Sequence, residues 1–465
     1  MVAATPAAAA PSQTGAPTVF WTSGVFEALA AFAILLPLLF VPQLTTAGPA
    51  MSFAAVLGYG WIRRREAVAI FARRWALLLI PAYALASLIW SDHPDVTLKH
   101  ALELVMTVAG GLLMSASRRP AALLAGACGA FGLYLLVSLT LGHSVTVGSA
   151  MSGGETAFTG LNEGKNLLGM TAALGALLSV FLLTCSLRRR FWAGVIAALG
   201  LAAIGVLMVY LSRSAGAVIA FTLAAATLLV VASLGAFRPR NRGVVCAVLA
   251  LLLLAGGMFG YAFANSVTAE ALNLFHKDPT LTGRSYLWYR AMDFVRERPM
   301  FGRGFEAFWV QGDLDAEGIW QYAHVGTRMG FNFHNTVIEL LIHFGWVGAV
   351  LTLAVFLFAL LRLMRRAVRE PSLVAAFYLG LVVFQLSRTP FESLMPASVD
   401  FETTLLMAAL GFGFEPIARL VAAPARPSPL RRPYRTLRPR PGFAPAAARP
   451  RIPYRRPRPS LPAHR

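Results

Sequence analysis

Two long apolar runs follow each other, with one charged residue between them, in FWAGVIAALGLAAIGVLMVYLSRSAGAVIAFTLAAATLLVVASLG, residues 191–235. Each run has about 20 residues, and a helix of that length crosses the ~30 Å hydrocarbon core of a bilayer. A helix satisfies its own backbone hydrogen bonds, which lipid cannot do. The stretch therefore predicts two transmembrane helices joined by a short turn at Arg213.

Similar apolar runs recur along most of the chain and predict an all-α integral membrane protein with about twelve transmembrane helices. The composition agrees, because 57% of the 465 residues are hydrophobic and only 13% are charged, which a soluble fold of this size could not bury. The predicted spans are residues 24–42, 46–62, 75–90, 101–116, 120–141, 166–184, 191–211, 214–235, 244–263, 335–361, 371–387 and 402–418.

The positive charges predict the orientation of these spans. A formal net charge of +20 would suggest nucleic acid as the partner of a soluble protein, but here the arginines lie in short connections and in the last part of the chain. Every second connection is basic, and basic connections lie on the cytoplasmic side of a membrane. The pattern indicates a multi-pass protein of the bacterial inner membrane with both termini in the cytoplasm. We therefore expect no nucleic-acid partner. The basic connections contain Arg63, Arg64, Arg65, Arg73, Arg74, Arg118, Arg119, Arg188, Arg189, Arg190, Arg238, Arg240, Arg242, Arg362, Arg365, Arg366 and Arg369.

Two terminal segments, residues 1–20 and 419–465, differ in composition from the predicted membrane domain at residues 21–418. The first is rich in Ala, Pro, Ser and Thr, the second is rich in Arg and Pro, and both predict disorder. We interpret the basic tail as a cytoplasmic topology anchor that contacts anionic lipid headgroups, with binding of a cytoplasmic partner as the alternative. The three cysteines all lie inside apolar runs, so neither a disulfide framework nor a metal site is predicted.

One external connection, residues 264–334, is far longer than the others and predicts a large periplasmic loop between spans nine and ten. Within it, residues 285–298 carry apolar side chains at helical spacing and Pro299 follows them. This pattern predicts an amphipathic helix that lies on the membrane surface or covers a cavity. Four aromatic side chains further along are expected at the headgroup interface. They are Phe308, Trp309, Trp320 and Tyr322.

Three basic side chains near the predicted external surface are candidates for chemistry, because polar groups at such positions are costly in a membrane protein. Arg284 begins the loop helix, where its guanidinium and the exposed backbone N–H groups could hold a phosphate together. His334 precedes the tenth span, where the helix N-terminus disfavours an imidazolium and leaves a proton acceptor. Glu339 and His343 follow on the same helix, but helical spacing predicts that neither shares a face with His334. Arg213, in the turn between the seventh and eighth spans, is the third candidate. The alternative interpretations are that Arg213 only extends to the lipid headgroups and that His334 only caps the helix or packs against it.

Other polar residues on the external side are weaker candidates. Lys165 and Asn166 open the sixth span and could either reach the same phosphate or cap the helix. Glu392 lies near Arg388 in the last external connection, and we expect a local ion pair between them. The sequence has no Walker loop, nucleophile elbow or cluster with metal-ligand spacing.

Six motifs resemble, in their order and membrane side, the successive signatures of the bacterial O-antigen ligase and exopolysaccharide polymerase superfamily. Each motif is loose alone, but six in the right order are a specific signal. The motifs are Trp90-Ser91-Asp92-His93-Pro94, Gly164-Lys165-Asn166, Ser212-Arg213-Ser214, Thr282-Gly283-Arg284, Pro299-Met300-Phe301-Gly302 and His334-Asn335.

The resemblance implies a GT-C-like membrane fold and a glycosyltransferase that needs no cofactor, nucleotide or metal. Glycan would move from an undecaprenyl-diphosphate-linked oligosaccharide to a sugar hydroxyl on the periplasmic face. By the same resemblance, Arg213 and Arg284 would hold the diphosphate, and His334 would activate the acceptor hydroxyl. The substrate-binding residues would be Lys165, Asn166 and Asn335.

Within this superfamily, the pair Lys165-Asn166 and residues 304–309 look closer to exopolysaccharide polymerases than to ligases. Glu163-Gly164 and His343 depart from that branch, which affects the subfamily more than the reaction class. Transfer of O antigen to lipid A-core is the first alternative, because a ligase uses the same donor and differs in the acceptor. A polysaccharide or lipid-linked-sugar transporter or flippase is the alternative from another class, but its usual repeated halves are not seen here. The expected partners are the acceptor glycan or glycolipid, the lipid bilayer and other polysaccharide assembly proteins.

Overall fold

The computed structural model describes residues 23–147, 155–162, 164–244, 284–323, 330–394 and 396–416. Within these ranges the chain is mostly helical and has one antiparallel hairpin. The helices are α1 (Gly24–Leu39), α2 (Val41–Leu44), α3 (Ala47–Ile62), α4 (Arg64–Arg73), α5 (Trp75–Ala86), α6 (Pro94–Ser115), α7 (Pro120–Leu141), α8 (Lys165–Arg189), α9 (Trp192–Ser212), α10 (Ala215–Ser233), α11 (Arg284–Glu297), α12 (Leu314–Tyr322), α13 (Thr336–Arg369), α14 (Leu373–Leu386) and α15 (Phe401–Phe412). The hairpin strands are β1 (His143–Val147) and β2 (Glu155–Gly160).

Six of the described helices are long and apolar enough to cross a membrane, and the bent pair Arg64–Arg73 with Trp75–Ile89 would make a seventh. The chain is therefore a multi-pass helical membrane protein, as the sequence predicts. Shorter apolar helices, among them α1, α14 and α15, stand at other predicted spans. The count of twelve spans stays a prediction. Outside the described residues lie the predicted ninth span apart from Val244, the first part of the long loop, and the predicted terminal segments at 1–20 and 419–465.

In lipid, the hydrophobic effect does not drive helices together, because lipid tails are as apolar as the helix surfaces. Close helix packing in this bundle therefore depends on small residues. Gly111 of α6 packs so tightly against α15 that an added Cβ would lie 2.6 Å from the Cβ of Met407. A Cβ added at Gly205 of α9 would likewise lie 3.0 Å from the backbone oxygen of Ala172 on α8. Of the spanning helices, α8 is the most enclosed, with 72% of its apolar window buried.

Helix α13 is interrupted at Gly345, where φ is +62° and ψ is −171°. The break frees backbone groups that must find other partners inside the protein. Trp346 N donates to Pro299 O at 2.8 Å, and on the preceding turn Ile342 O accepts from Arg303 N at 2.8 Å. The segment after α11 is thereby hydrogen-bonded directly to a membrane helix. The single long span expected at residues 335–361 is thus two helical pieces with a docking point between them.

The described part of the long loop packs around a second hydrophobic core, to which Ile338, Leu341 and Ile342 of α13 also belong. The predicted helix of the loop is confirmed as Arg284–Glu297, followed by Pro299. Phe308 and Trp320 are only 0% and 2% exposed and belong to the same cluster as α11. The expectation that these two rings lie at the headgroup interface is therefore wrong, because the loop folds over them and encloses them. Tyr322 does remain on the surface, 49% exposed.

Replacing Gly345 by Ala should destabilise the protein. The left-handed backbone strains any side chain by about 1–3 kcal/mol, and the new Cβ would lie 2.5 Å from Phe301 N. The melting temperature of the purified protein in detergent measures the effect. Gly200→Ala on α9 is the matched control, because no atom lies within 4 Å of its added Cβ. Equal melting temperatures for the two variants would contradict the docking role of the break.

Candidate active site

Several connections between helices converge at the end of the bundle that carries His334. The turn before α13 is hydrogen-bonded to the connection between α14 and α15. Thr336 N donates to Thr389 O at 3.0 Å, and Thr336 Oγ1 donates to Glu392 O at 2.6 Å. These bonds fix the position of Glu392 relative to the turn.

The carboxylate of Glu392 brings together three of the residues singled out in the sequence. Its Oε2 lies 3.5 Å from His334 Nδ1, and its Oε1 lies 3.6 Å from Arg284 Nη2. Asn166 Nδ2, at the start of α8, donates to the same Oε1 at 3.5 Å. Side chains from residues 166, 284, 334 and 392 thus meet at one point, although the chain separates them widely.

Glu392 is ionised at neutral pH in this arrangement. Burial alone would raise the pKa of Glu392, but the hydrogen bond with His334, the positive charge that His334 carries when protonated, and the positive charges of Arg284 and Arg388 outweigh it and lower the pKa. A carboxylate at Nδ1 favours the tautomer that carries its proton there, which leaves Nε2 as a proton acceptor. The site therefore pairs a base with an anion that can stabilise its protonated form.

The backbone around His334 is held in an unusual shape. His334 has a φ of +51°, and its N–H donates to Asn332 Oδ1 at 2.8 Å. The next residue, Asn335, caps α13, because its Oδ1 accepts from Val337 N at 3.0 Å and from Ile338 N at 3.2 Å. The capping role considered for the histidine therefore belongs to its neighbour, and the imidazole is left to face Glu392.

Glu339 is a buried carboxylate that ties the site together, and sequence reasoning missed it. Its Oε1 accepts from Phe333 N at 2.7 Å, from Trp309 Nε1 at 3.4 Å and from Ser393 Oγ at 3.4 Å. These donors belong to the His334 turn, the long loop and the connection that carries Glu392. Glu339 lies on α13, whereas His334 precedes the helix with a φ of +51°, and the bend there brings Phe333 N within reach of the Glu339 carboxylate. An acid in an apolar run was the available signal.

Arg213 is connected to the cluster through its neighbour. Ser214 Oγ donates to Asn166 Oδ1 at 3.3 Å, and Asn166 in turn bonds Glu392. Gly169 permits this approach, since a Cβ there would lie 2.7 Å from Ser212 Oγ. Arg213 itself has a φ of +51° at the end of α9, and its side chain is exposed. Lys165, the first residue of α8, is half-buried at the same end.

The expected ion pair between Glu392 and Arg388 is not formed. Arg388 Nη1 instead donates to Glu402 Oε2 at 2.8 Å and to Gln385 Oε1 at 3.1 Å. Arg388 is buried between α14 and α15, so its charge needs an equally buried partner. The carboxylate of Glu392 contacts His334 and Arg284 instead.

Comparison with known proteins agrees with the six motifs. Residues 200–353 match the family model described as O-antigen ligase. This region is an O-antigen ligase family domain. Over 394 residues the chain is also 29% identical to "Exopolysaccharide production protein ExoQ" of Rhizobium meliloti (strain 1021), across 81% of this chain and 87% of the relative. The resemblance inferred from the motifs is confirmed, and the O-antigen ligase domain contains Arg213, Arg284 and His334.

Glu339→Ala should destabilise the protein by about 1–3 kcal/mol, because buried donors would lose their acceptor. Glu339→Gln should keep most of the stability, since its amide oxygen can still accept from Phe333 N. Thermal unfolding of both variants in the same detergent measures the difference. The role assigned to Glu339 fails if the alanine variant melts no lower than the glutamine variant.

Proposed function

We propose that this protein is a polysaccharide polymerase that transfers glycan from an undecaprenyl-diphosphate-linked donor to a sugar hydroxyl during exopolysaccharide synthesis. The reaction would take place on the periplasmic face of the inner membrane, with both chain termini in the cytoplasm. The observation that carries the proposal is the meeting of His334, Arg284 and Glu392 at one end of the bundle. Arg213, joined to them through Ser214 and Asn166, completes the set.

The arginines would hold and stabilise the leaving group. Breaking the bond between the anomeric carbon and the phosphate oxygen leaves negative charge on the diphosphate, and fixed guanidinium groups stabilise that charge as it develops. Arg284 has five N–H donors, and its Nη1 and Nη2 contact Phe391 O at 2.8 Å and Glu392 at 3.6 Å. The longer of these contacts is weak enough to be exchanged for a phosphate oxygen. Lys165, at the N-terminus of α8, would add a positive charge beside it.

His334 would act as the general base. As the acceptor oxygen bonds to the anomeric carbon, its proton passes to Nε2 of His334. The ionised Glu392 beside Nδ1 stabilises the imidazolium that results. Asn166 and Asn335 hold this pair from either side, since the first bonds Glu392 directly and the second bonds Pro390 O at 3.3 Å. The proton then leaves to solvent and the undecaprenyl diphosphate departs.

Ligation of glycan to lipid A-core is the second candidate, and the description of the matched family as O-antigen ligase favours it. Both reactions use the same donor and differ only in the acceptor. Purified protein should be incubated with lipid-linked repeat units alone and then with added lipid A-core. A polymerase lengthens glycan in the first incubation, whereas a ligase forms product only in the second. No new glycosidic bond in either would refute both candidates.

His334→Ala, Arg284→Ala and Arg213→Ala should each lower the rate of glycan transfer by at least about 100-fold. Product formation from lipid-linked repeat units measures this loss, and the amount of protein in the membrane fraction shows whether insertion is intact. Arg296→Ala is the matched control and should keep the wild-type rate, because Arg296 lies on the same helix as Arg284 but is 71% exposed and pairs only locally, with Asp293. Full activity in any of the three variants removes that residue from the mechanism.

Glu392→Gln should lower kcat by about 10-fold or more, because the neutral amide cannot stabilise the imidazolium electrostatically. The KM for the lipid-linked donor should change less, since the contact between Glu392 and Arg284 would be exchanged for a phosphate oxygen when the donor binds. Steady-state kinetics of the purified variant separate these two constants. A raised KM with an unchanged kcat would instead indicate that Glu392 only shapes the donor site.

A further inference from the structure

Residues 298–304, which follow α11 in the long loop, carry exposed apolar side chains that the chemistry above does not use. Met300 is 54% exposed and Phe301 is 49% exposed. Trp90, in the connection between α5 and α6, packs its ring against Phe301 at 5.3 Å between centroids, and its neighbour Ile89 is 86% exposed. Exposed apolar side chains that cluster on adjoining segments mark a contact with lipid or with another protein. Ile89, Met300 and Phe301, together with Trp346 of α13, are called the apolar patch below.

The apolar patch continues a stripe of exposed apolar side chains along α13. After the break at Gly345 these side chains recur every three or four residues, which places them on one side of the helix. The patch adjoins the first of them, because Met300 O accepts from Val347 N at 3.1 Å. The stripe consists of Trp346, Val350, Leu353, Leu357 and Leu361, each 51–64% exposed. On a helix that crosses the membrane, a stripe of this kind faces the acyl chains.

The length of the stripe indicates the depth of the patch in the bilayer. Arg362 follows the stripe, and its positive charge belongs at the headgroups on that side. From Trp346 to Arg362 the helix rises by roughly 24 Å at ~1.5 Å per residue, and any tilt shortens its vertical extent. The hydrocarbon core is about 30 Å thick. Trp346 therefore lies inside the hydrocarbon, below the headgroups of the opposite leaflet.

Helix α5 gives the same depth independently. Two arginines precede the helix, and the exposed ring of Trp75 at its start is typical of a headgroup interface. Ile89 ends the 3-10 turn that follows the helix. The α-helical part and this turn together rise by roughly 23 Å. Ile89 and Trp346 thus end at one level, although they belong to different helices.

The backbone between α11 and Phe305 meets the requirement for such a depth, since polar backbone groups in a bilayer must be bonded within the protein. Three successive carbonyls accept hydrogen bonds, and the next three N–H groups donate them. The carbonyls of Pro299, Met300 and Phe301 accept from Trp346 N, Val347 N and Trp90 Nε1. The N–H groups of Gly302, Arg303 and Gly304 donate to Arg298 O, Ile342 O and His343 O. Non-helical backbone bonded in this way can lie among acyl chains.

A charged pair lies beside the patch. Arg298, two residues before Met300, binds Asp92 at 3.2 Å, and its side chain is 55% exposed. A long basic side chain of this kind can extend to lipid phosphates while its neighbours stay in the hydrocarbon. Apolar side chains with a basic residue at their edge are what a segment at the boundary of a leaflet requires.

We propose that residues 298–304 form a re-entrant segment of the long loop, inserted into the leaflet on the side of the bundle that carries His334. The partner of the apolar patch is the acyl chains of that leaflet rather than a second copy of this chain, because the patch is continuous with the stripe on α13 that faces lipid. The bilayer thereby holds the end of α11 in addition to its bonds to α13. This inference rests on the membrane fold and not on the proposed transfer of glycan.

Nitroxide labels on single cysteines test the depth of the segment. Full-length protein in which Cys128, Cys185 and Cys246 are replaced by alanine is labelled at Met300→Cys or Ile89→Cys. It is then reconstituted in vesicles of phosphatidylethanolamine and phosphatidylglycerol. Power-saturation EPR compares collisions of each label with oxygen, which concentrates in hydrocarbon, and with a water-soluble nickel chelate. The matched controls are Leu353→Cys in the stripe and Leu314→Cys, which is 88% exposed on α12 of the same loop.

Labels at residues 300 and 89 should collide more often with oxygen than with the nickel chelate, as at residue 353, and the label at residue 314 should show the reverse. Either label matching residue 314 would place the segment in water and overturn the proposal. Few collisions with both agents would mean that a protein surface, such as a second copy, covers the patch, which also overturns it. Melting temperatures within the wild-type range show that the variants are folded. No step requires catalysis, so the result is independent of whether the protein transfers glycan.

Discussion

The ionised carboxylate of Glu392 is the interaction on which the candidate site depends. It attracts a guanidinium, an imidazole and a carboxamide from three separate parts of the chain, and each contact measures 3.5–3.6 Å. Without this anion, His334 would lose its carboxylate partner, and Arg284 would keep its bond to Phe391 O but no longer share an acceptor with the imidazole. The contacts are long enough that a bound diphosphate could replace the carboxylate as the partner of Arg284 while His334 keeps it.

The second requirement is that the loop be fixed to the membrane helices, and the break in α13 at Gly345 does this. In lipid, a broken helix must satisfy its freed backbone groups within the protein. Residues 299–304 provide those partners, and Trp90 Nε1 adds a bond to Phe301 O at 2.9 Å from the end of α5. The end of α11 is thereby fixed to α13, whereas Arg284 at its start is held by its own bond to Phe391 O at 2.8 Å. Glu339 strengthens the same junction from inside.

Much of this architecture could be predicted from the sequence. The apolar runs identify the helices because length and composition alone decide whether a segment suits the bilayer. Arg284 and His334 were recognisable because each stands at the start of a helix, where a local pattern is visible. Glu392 was assigned to the wrong partner, because its contacts depend on how the connection after α14 folds back across the turn. The break at Gly345 was missed since a glycine in an apolar run is also typical of tight helix packing.

The aromatic residues of the loop show the same limit. Their composition fits either a headgroup interface or a small core, and only the fold of the loop distinguishes the two. Phe308 and Trp320 are in the core, whereas Tyr286 and Tyr322 stack on each other and remain accessible. Sequence periodicity places Tyr286 and Arg290 on one face of α11, but no local pattern indicates that Leu314 and Asp315 of α12 lie opposite them.

The most direct test of the central claim is a cryo-EM map of the full chain in a lipid nanodisc with undecaprenyl diphosphate bound. The account predicts that the diphosphate lies about 3 Å from the guanidinium nitrogens of Arg213 and Arg284, with the His334 imidazole on the side of the terminal phosphate, from which the glycan has departed. A headgroup that contacts neither arginine, or that binds at the opposite end of the bundle, would contradict it.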